Sequence, residues 1–224
     1  MSNHTQTKRT VAPFGIAPHP VTRRRIDYQL IENLIPVGAR VLDLGCGDGR
    51  LLSELAANKE CAVRGIEINE QAVLACTHRG VPVYHGDMLE GMSFFESGAF
   101  DAVILSQTLQ QTSNPVRVIR EMLRVGETAV ISFPNFGHWR VRLQLLLKGC
   151  MPVTPMLPEA WYNTPNVHLC TVRDFRLLCQ SFNLVRVKEI FLSAPDRQIS
   201  PIGANWLAGL AIFQVRATSQ NNEK

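Results

Sequence analysis

Gly45, Gly47 and Gly49 stand at alternate positions in the run Asp43-Leu44-Gly45-Cys46-Gly47-Asp48-Gly49. Glycine lacks a Cβ, so such a loop lets its backbone approach a ligand closely and adopts positive φ without strain. The apolar run Val41-Leu42-Asp43-Leu44 precedes it and helical spacing begins at Arg50. The loop therefore opens a helix, where backbone N–H groups face a ligand. A dinucleotide fingerprint requires G-x-G-x-x-G, but the sixth residue from Gly45 is Arg50, and no Gly-Lys-Ser/Thr occurs to make a phosphate loop. What remains is acid-x-G-x-G-x-G. In it Asp43 can order the turn and reach a cationic amino group through one water, while the glycines admit a small zwitterionic ligand.

Two more acids fall where such a ligand would need them. Glu67 ends the next apolar run, 18 residues beyond Gly49, where a carboxylate can accept from two vicinal ribose hydroxyls. Gly86-Asp87 follows the run after that, so Asp87 can hold an adenine amino group while Met88 and Leu89 pack the ring. Asp87 reads equally well as a turn cap. Cys46 within the loop and Ile68 beside Glu67 complete the contacts expected from these segments.

The elements that must position these residues alternate in type. Apolar spacing at Leu30, Ile31, Leu34 and Ile35 predicts a helix before Pro36. Strands are expected at 41–44, 63–68, 83–85, 101–105 and 128–133, with helices at 50–57, 70–78 and 115–123. This alternation predicts a parallel sheet covered on both faces, with ligands outside the carboxyl ends of the strands. From Pro134 to Cys170 seven prolines and glycines surround one helical piece, 139–148, which reads as a lid-like excursion. Thr171-Val172-Arg173-Asp174 then matches a capping box. The runs 184–192 and 210–215, lacking a convincing helix between them, should pair antiparallel.

The 224 residues, 46% hydrophobic, suit one well-buried domain. The expected organisation is a tail at 1–22, a domain at 23–218 and a polar tail at 219–224. The net charge of +4 owes much to Lys8, Arg9, Arg23, Arg24 and Arg25, ahead of the first acid at Asp27, so the body is nearly neutral. That places nucleic-acid binding last among the readings. No Cys-x-x-Cys spacing and no apolar run of about 18 residues occurs. The expectation is a cytoplasmic protein with reduced thiols and no stable membrane insertion.

Residues 27 to 216 resemble class I S-adenosylmethionine-dependent methyltransferases. The resemblance implies a single Rossmann-like α/β domain with a mainly parallel seven-stranded sheet and an antiparallel C-terminal hairpin strand. It also implies S-adenosylmethionine as cofactor, contacted by Asp43, Gly45, Gly47, Glu67 and Asp87, with Ser106 near the sulfonium. A narrower likeness lies in Ile104-Leu105-Ser106-Gln107-Thr108-Leu109-Gln110, Glu121-Met122-Leu123-Arg124-Val125-Gly126, Ser132-Phe133-Pro134-Asn135-Phe136-Gly137-His138-Trp139-Arg140-Val141-Arg142 and 161–170. These segments resemble the MetW family of methionine biosynthesis proteins. That family implies a role beside homoserine O-acyltransferase as a partner needed for its activity; the alternative is an active small-molecule methyltransferase.

The acyltransferase chemistry itself is not in this chain, because Gly91-Met92-Ser93-Phe94-Phe95 lacks the last glycine of a nucleophile elbow. Ser106-Gln107-Thr108 replaces the Asn/Asp-Pro-Pro-aromatic motif of exocyclic-amine methylases. Pro134-Asn135 and His138 follow a strand and can face a substrate, with His138 as a general base or, more simply, a helix cap. No catalytic residue is assigned. Cys150, His168 and Cys170 match no usual zinc spacing and are read as thiols and a satisfied histidine. Trp139, Leu143, Leu146 and Leu147 against Arg140, Arg142 and Lys148 form a basic amphipathic helix. It reads as a docking element for a protein partner, as an element that approaches anionic lipid, or as a helix buried on one face with solvated cations.

Overall fold

The apolar runs become parallel strands because a helix returns the chain to the same sheet edge after each of them. The computed structural model describes residues 26–154, 157–193 and 197–218; the expected tails lie outside them. In chain order the elements are α1 (Ile26–Leu34), β1 (Arg40–Leu44), α2 (Arg50–Lys59), β2 (Ala62–Glu67), α3 (Glu70–His78) and β3 (Val83–His85). There follow α4 (Met88–Ser93), β4 (Phe100–Ser106), a 3-10 turn at Leu109–Gln111, α5 (Pro115–Val125), β5 (Gly126–Pro134), α6 (Trp139–Lys148) and α7 (Val172–Ser181). The chain closes with β6 (Leu184–Ser193), β7 (Arg197–Ile199), α8 (Ala204–Leu207) and β8 (Leu210–Ala217).

All strands join one sheet in the order β3-β2-β1-β4-β5-β8-β6-β7. Strands β1 to β5 pair in parallel, while β8 inserts between β5 and β6 antiparallel to both. The two terminal β-rich runs thus pair as expected. The sheet has eight strands where seven were expected, because Arg197–Ile199 fold back on Phe191–Ser193 as a short edge strand. Helix α8, at four residues, is too short to make a crossover. Helix α4 was also unread: six residues hold too little period to detect, and Asp87 starts it.

Alternate residues of the central strands serve opposite faces. Leu42, Leu44, Val103 and Leu105 pack with α4, α5 and α7, whereas Val41, Ala102 and Ile104 pack with α1, α2 and α3. The first face is anchored by Phe213 of β8, whose ring lies 4.7 Å from Phe175, 5.8 Å from Phe133 and 5.8 Å from Phe191. These fully buried rings lock α7 and β6 to the parallel half of the sheet. The capping box of α7 is complete, with Thr171 and Asp174 each accepting from the other's backbone N–H.

Removing the central ring should cost about 3–5 kcal/mol, the usual range for a buried Phe→Ala change. Phe213→Ala is expected to lower the urea midpoint accordingly with an unchanged slope, and Phe213→Leu to lower it by less than half as much.

Candidate functional site

Because β1, β2, β3, β4 and β5 are parallel, their carboxyl ends share one edge of the sheet, and the chain segments leaving them form one rim. Gly45, Gly47 and Gly49 all have positive φ, at 66°, 57° and 72°. Their reasons differ. A Cβ on Gly45 would lie 3.0 Å from Thr108 Cγ2 and one on Gly49 only 2.8 Å from Cys76 Sγ, so both glycines serve close packing. A Cβ on Gly47 would meet nothing within 4 Å. The loop therefore opens to space at Gly47 and is braced on either side.

Glu67 holds that loop. Its buried carboxylate accepts from Gly47 N–H at 2.8 Å through Oε2 and from Ile68 and Asn69 N–H at 2.9 Å each through Oε1. A carboxylate offers about four acceptor positions, so three backbone donors leave room for about one more bond. Two ribose hydroxyls would require one backbone N–H to be released. Asp43 is buried beneath the loop at the end of β1, and Ile68 exposes its side chain at the end of β2. Asp87 Oδ1 caps α4, accepting from Leu89 N–H at 2.8 Å, which is the capping reading of this residue. Met88 and Leu89 lie partly buried against the core behind it.

Cys46, expected among the cofactor contacts, has its side chain inward. Its thiol is turned into the core, 3.8 Å from that of Cys76, which in turn donates to Gly47 O at 3.1 Å. Burial, with Asp43 next in weight, pushes the Cys46 thiol well above its ordinary range. Only its backbone faces the rim. The sequence reading missed Gly65, which makes this possible: a Cβ there would sit 2.5 Å from Cys46 Sγ. A glycine inside a strand was the available signal.

Ser106 ends β4 half-buried, its Oγ 3.2 Å from that of Ser132 on β5. Beyond it Gln107 takes a positive φ of 54°. Its side chain donates to Asp27 Oδ2 of α1 at 2.8 Å, fastening that helix over the end of β4. Buried Gln110 donates to Gln107 O at 2.7 Å, and its own carbonyl accepts from Val167 and His168 N–H. Val167 and His168 are thereby pinned to the same rim. Neither glutamine was readable as positioning: left-handed backbone at a non-glycine residue such as Gln107 leaves no sequence trace, and the partners of the Gln110 carbonyl come from a segment more than fifty residues on.

Asn135, read as able to face a substrate, is turned into the fold instead. It is buried, donates to Ala208 O at 2.8 Å, and accepts through Oδ1 from Gly137 N–H at 3.0 Å and Val172 N–H at 3.2 Å. It ties the end of β5 to α7 and α8. His138 is the N-cap of α6, its Nδ1 accepting from Arg140 N–H at 3.2 Å. Burial, then Arg140, lowers its pKa from 6.5. With Nδ1 spent on the cap, the neutral ring carries its proton on Nε2 and has no free basic nitrogen. The described residues hold no group of three His, Cys, Asp or Glu side chains arranged for a metal, and no helix long and apolar enough to cross a membrane. Cys170 is half-buried and its thiol is pushed up to about 12 by burial and Asp174.

This glycine-loop rim on a sheet of order 3-2-1-4-5-8-6-7 defines a protein of the S-adenosylmethionine-dependent methyltransferase fold. A methyltransferase of that class from Thermotoga maritima superposes with a TM-score of 0.62, covering 86% of this chain and 87% of its own; at 15% identity the likeness is one of fold alone. Residues 25–215 match the family described as methionine biosynthesis protein MetW, and the chain belongs to that family. A bifunctional methionine biosynthesis protein MetXA/MetW from Rhodopirellula baltica is 38% identical over 182 residues, 77% of this chain but 29% of the relative. A ubiquinone biosynthesis O-methyltransferase from Xanthomonas axonopodis is 36% identical over 153 residues, 65% of this chain and 62% of the relative. The chain thus spans less than two thirds of either relative's length.

Two outcomes follow from this geometry. Because the folded pKa of His138 lies below the unfolded value, its capping contribution is complete above about pH 6.5 and is lost as pH falls through the folded value. His138→Asn should remove that acid-side loss from a series of melting temperatures against pH. Gly49→Ala should cost about 1–3 kcal/mol through left-handed strain and the Cys76 contact. Gly47→Ala, with open space for its methyl, should cost about 1–2 kcal/mol from backbone strain alone. Urea unfolding separates them.

Proposed function

We propose that this chain is an accessory partner of a homoserine O-acyltransferase that binds S-adenosylmethionine at the rim of the sheet. The fused relative carries the reading: a chain named MetXA/MetW joins two activities in one polypeptide, and this chain, of the MetW family, matches 29% of it. Fusion keeps two proteins at fixed stoichiometry and high effective concentration, which serves proteins that work together.

The residues present fit the cofactor. The open backbone at Gly47 is a cradle for its methionine part, with Asp43 beneath. Glu67 would take a ribose hydroxyl at its remaining acceptor position while its bonds to Ile68 and Asn69 keep it aimed. Exposed Ile68 and the Met88-Leu89 pair would flank the adenine, and Asp87 would meet its amino group. When bound, the cofactor supplies an activated methyl group. The residues around the rim favour holding it rather than using it. Asn135 is consumed in packing and His138 in capping, so the two side chains offered for substrate chemistry are otherwise engaged. A fold of this class binds without obligatory catalysis. S-adenosylmethionine acts here as a signal of methionine supply, read by the acyltransferase through this subunit.

Three measurements test the proposal. Homoserine acylation by the acyltransferase should rise on adding this chain and should change again with S-adenosylmethionine; no complex and no change in rate would overturn the pairing. In calorimetry, Glu67→Ala and Gly47→Ala should each weaken S-adenosylmethionine at least tenfold, about 1.4 kcal/mol. Wild-type affinity in both would misplace the site. Release of S-adenosylhomocysteine should stay at background over a panel of acceptors that includes homoserine, and turnover on any of them would make the chain a methyltransferase.

A further inference from the structure

Helix α6 is turned inside out. Its buried residue is Val141, while Leu143, Leu146 and Leu147 are 44%, 81% and 73% exposed. At about 100° per residue these three leucines form one stripe, centred roughly opposite Val141. Arg140 and Arg142 fall on the two sides of that stripe. A helix normally buries its leucines and solvates its cations, and a contiguous exposed apolar ridge on a soluble protein marks an interaction surface.

The ridge is also held rigidly. His138 caps the helix, Asn135 fixes the turn before it through Gly137, and Arg142 Nε donates to Gly137 O at 2.6 Å. The Arg142 guanidinium lies 4.9 Å over the ring of Trp206 on α8, itself half-exposed, which extends the apolar surface beyond the helix. Phe136 N–H to Cys170 O, at 3.0 Å, closes the base of the whole excursion. A ridge fixed in this way loses little conformational entropy when it docks.

We propose that the outward face of α6, with Leu143, Leu146, Leu147 and neighbouring Trp206, is the surface that docks the acyltransferase; this rests on the pairing proposed above. The chemistry it selects is an apolar groove bordered by carboxylates, taking the leucines at i, i+3 and i+4 spacing. Charge decides between occupants. No Asp or Glu lies between Glu127 and Glu159, so Arg140 and Arg142 flank the ridge unopposed along the chain. A second copy of the same helix would bring like charges together, which disfavours self-association. An acid-rimmed protein groove satisfies both the leucines and the arginines.

The test uses the full chain and the purified homoserine O-acyltransferase of the same organism, with binding read by calorimetry. The Leu146→Asp/Leu147→Asp double variant should bind at least tenfold more weakly and lose its effect on homoserine acylation. It should retain wild-type far-UV circular dichroism and S-adenosylmethionine affinity. Leu74→Asp, at an exposed position on α3, should bind like wild type. Arg140→Glu should weaken binding at low salt and much less at high salt. Double-variant binding within twofold of wild type would overturn the surface and leave the pairing intact; no binding by wild type would overturn the pairing itself. Should the double variant fail to fold, wild-type affinity in Arg140→Glu would overturn the surface instead. Binding of wild type to anionic phosphatidylserine vesicles, with no acyltransferase binding, would reassign the ridge to a membrane.

Discussion

The candidate site depends on one buried carboxylate. Glu67 accepts from backbone N–H groups of its own turn and of Gly47, so the end of β2 and the loop after β1 are a single rigid piece. Charge-assisted bonds of this kind are roughly twice as strong as neutral ones. The loop could not otherwise keep three alternating left-handed glycines in place, since an open glycine loop carries more conformational entropy than any other. The packing underneath follows from the same constraint. Cys76 donates to Gly47 O, Cys46 is folded inward beside it, and Gly65 gives up a side chain to make room.

A different constraint governs the opposite end of the rim. The segment leaving β5 is dense in polar and aromatic residues, a composition that invites a catalytic reading. Those residues work on the protein's own backbone. Asn135 satisfies buried groups of α7 and α8, His138 caps α6, and Arg142 clasps the turn at Gly137. The run Glu121-Met122-Leu123-Arg124-Val125-Gly126 is similarly structural. Arg124 pairs with Glu121 and donates to Phe95 O and Met92 O, while Gly126 avoids a 2.5 Å clash with Val103. Segments that are dense in recognisable residues here build the frame that carries the glycine loop and an outward-facing helix.

Much of this was legible in the chain itself. The strand and helix periods, the glycine spacing and the position of Glu67 are local properties, and the parallel sheet follows from them because a strand, helix, strand unit closes with one hand. The capping box at Thr171 was equally local. What only tertiary structure decided is the partner of each polar side chain. Asn135 and Gln110 look alike as exposed polar residues in a sequence, yet both are buried by elements far along the chain. Cys46 lies in the glycine loop but belongs to the core, since the room for its thiol comes from Gly65 on another strand. The leucines of α6 carried an amphipathic period, and a period tells that a helix has an apolar face without telling what covers it. Only the packing of Val141 inward showed that the apolar stripe is the side left open.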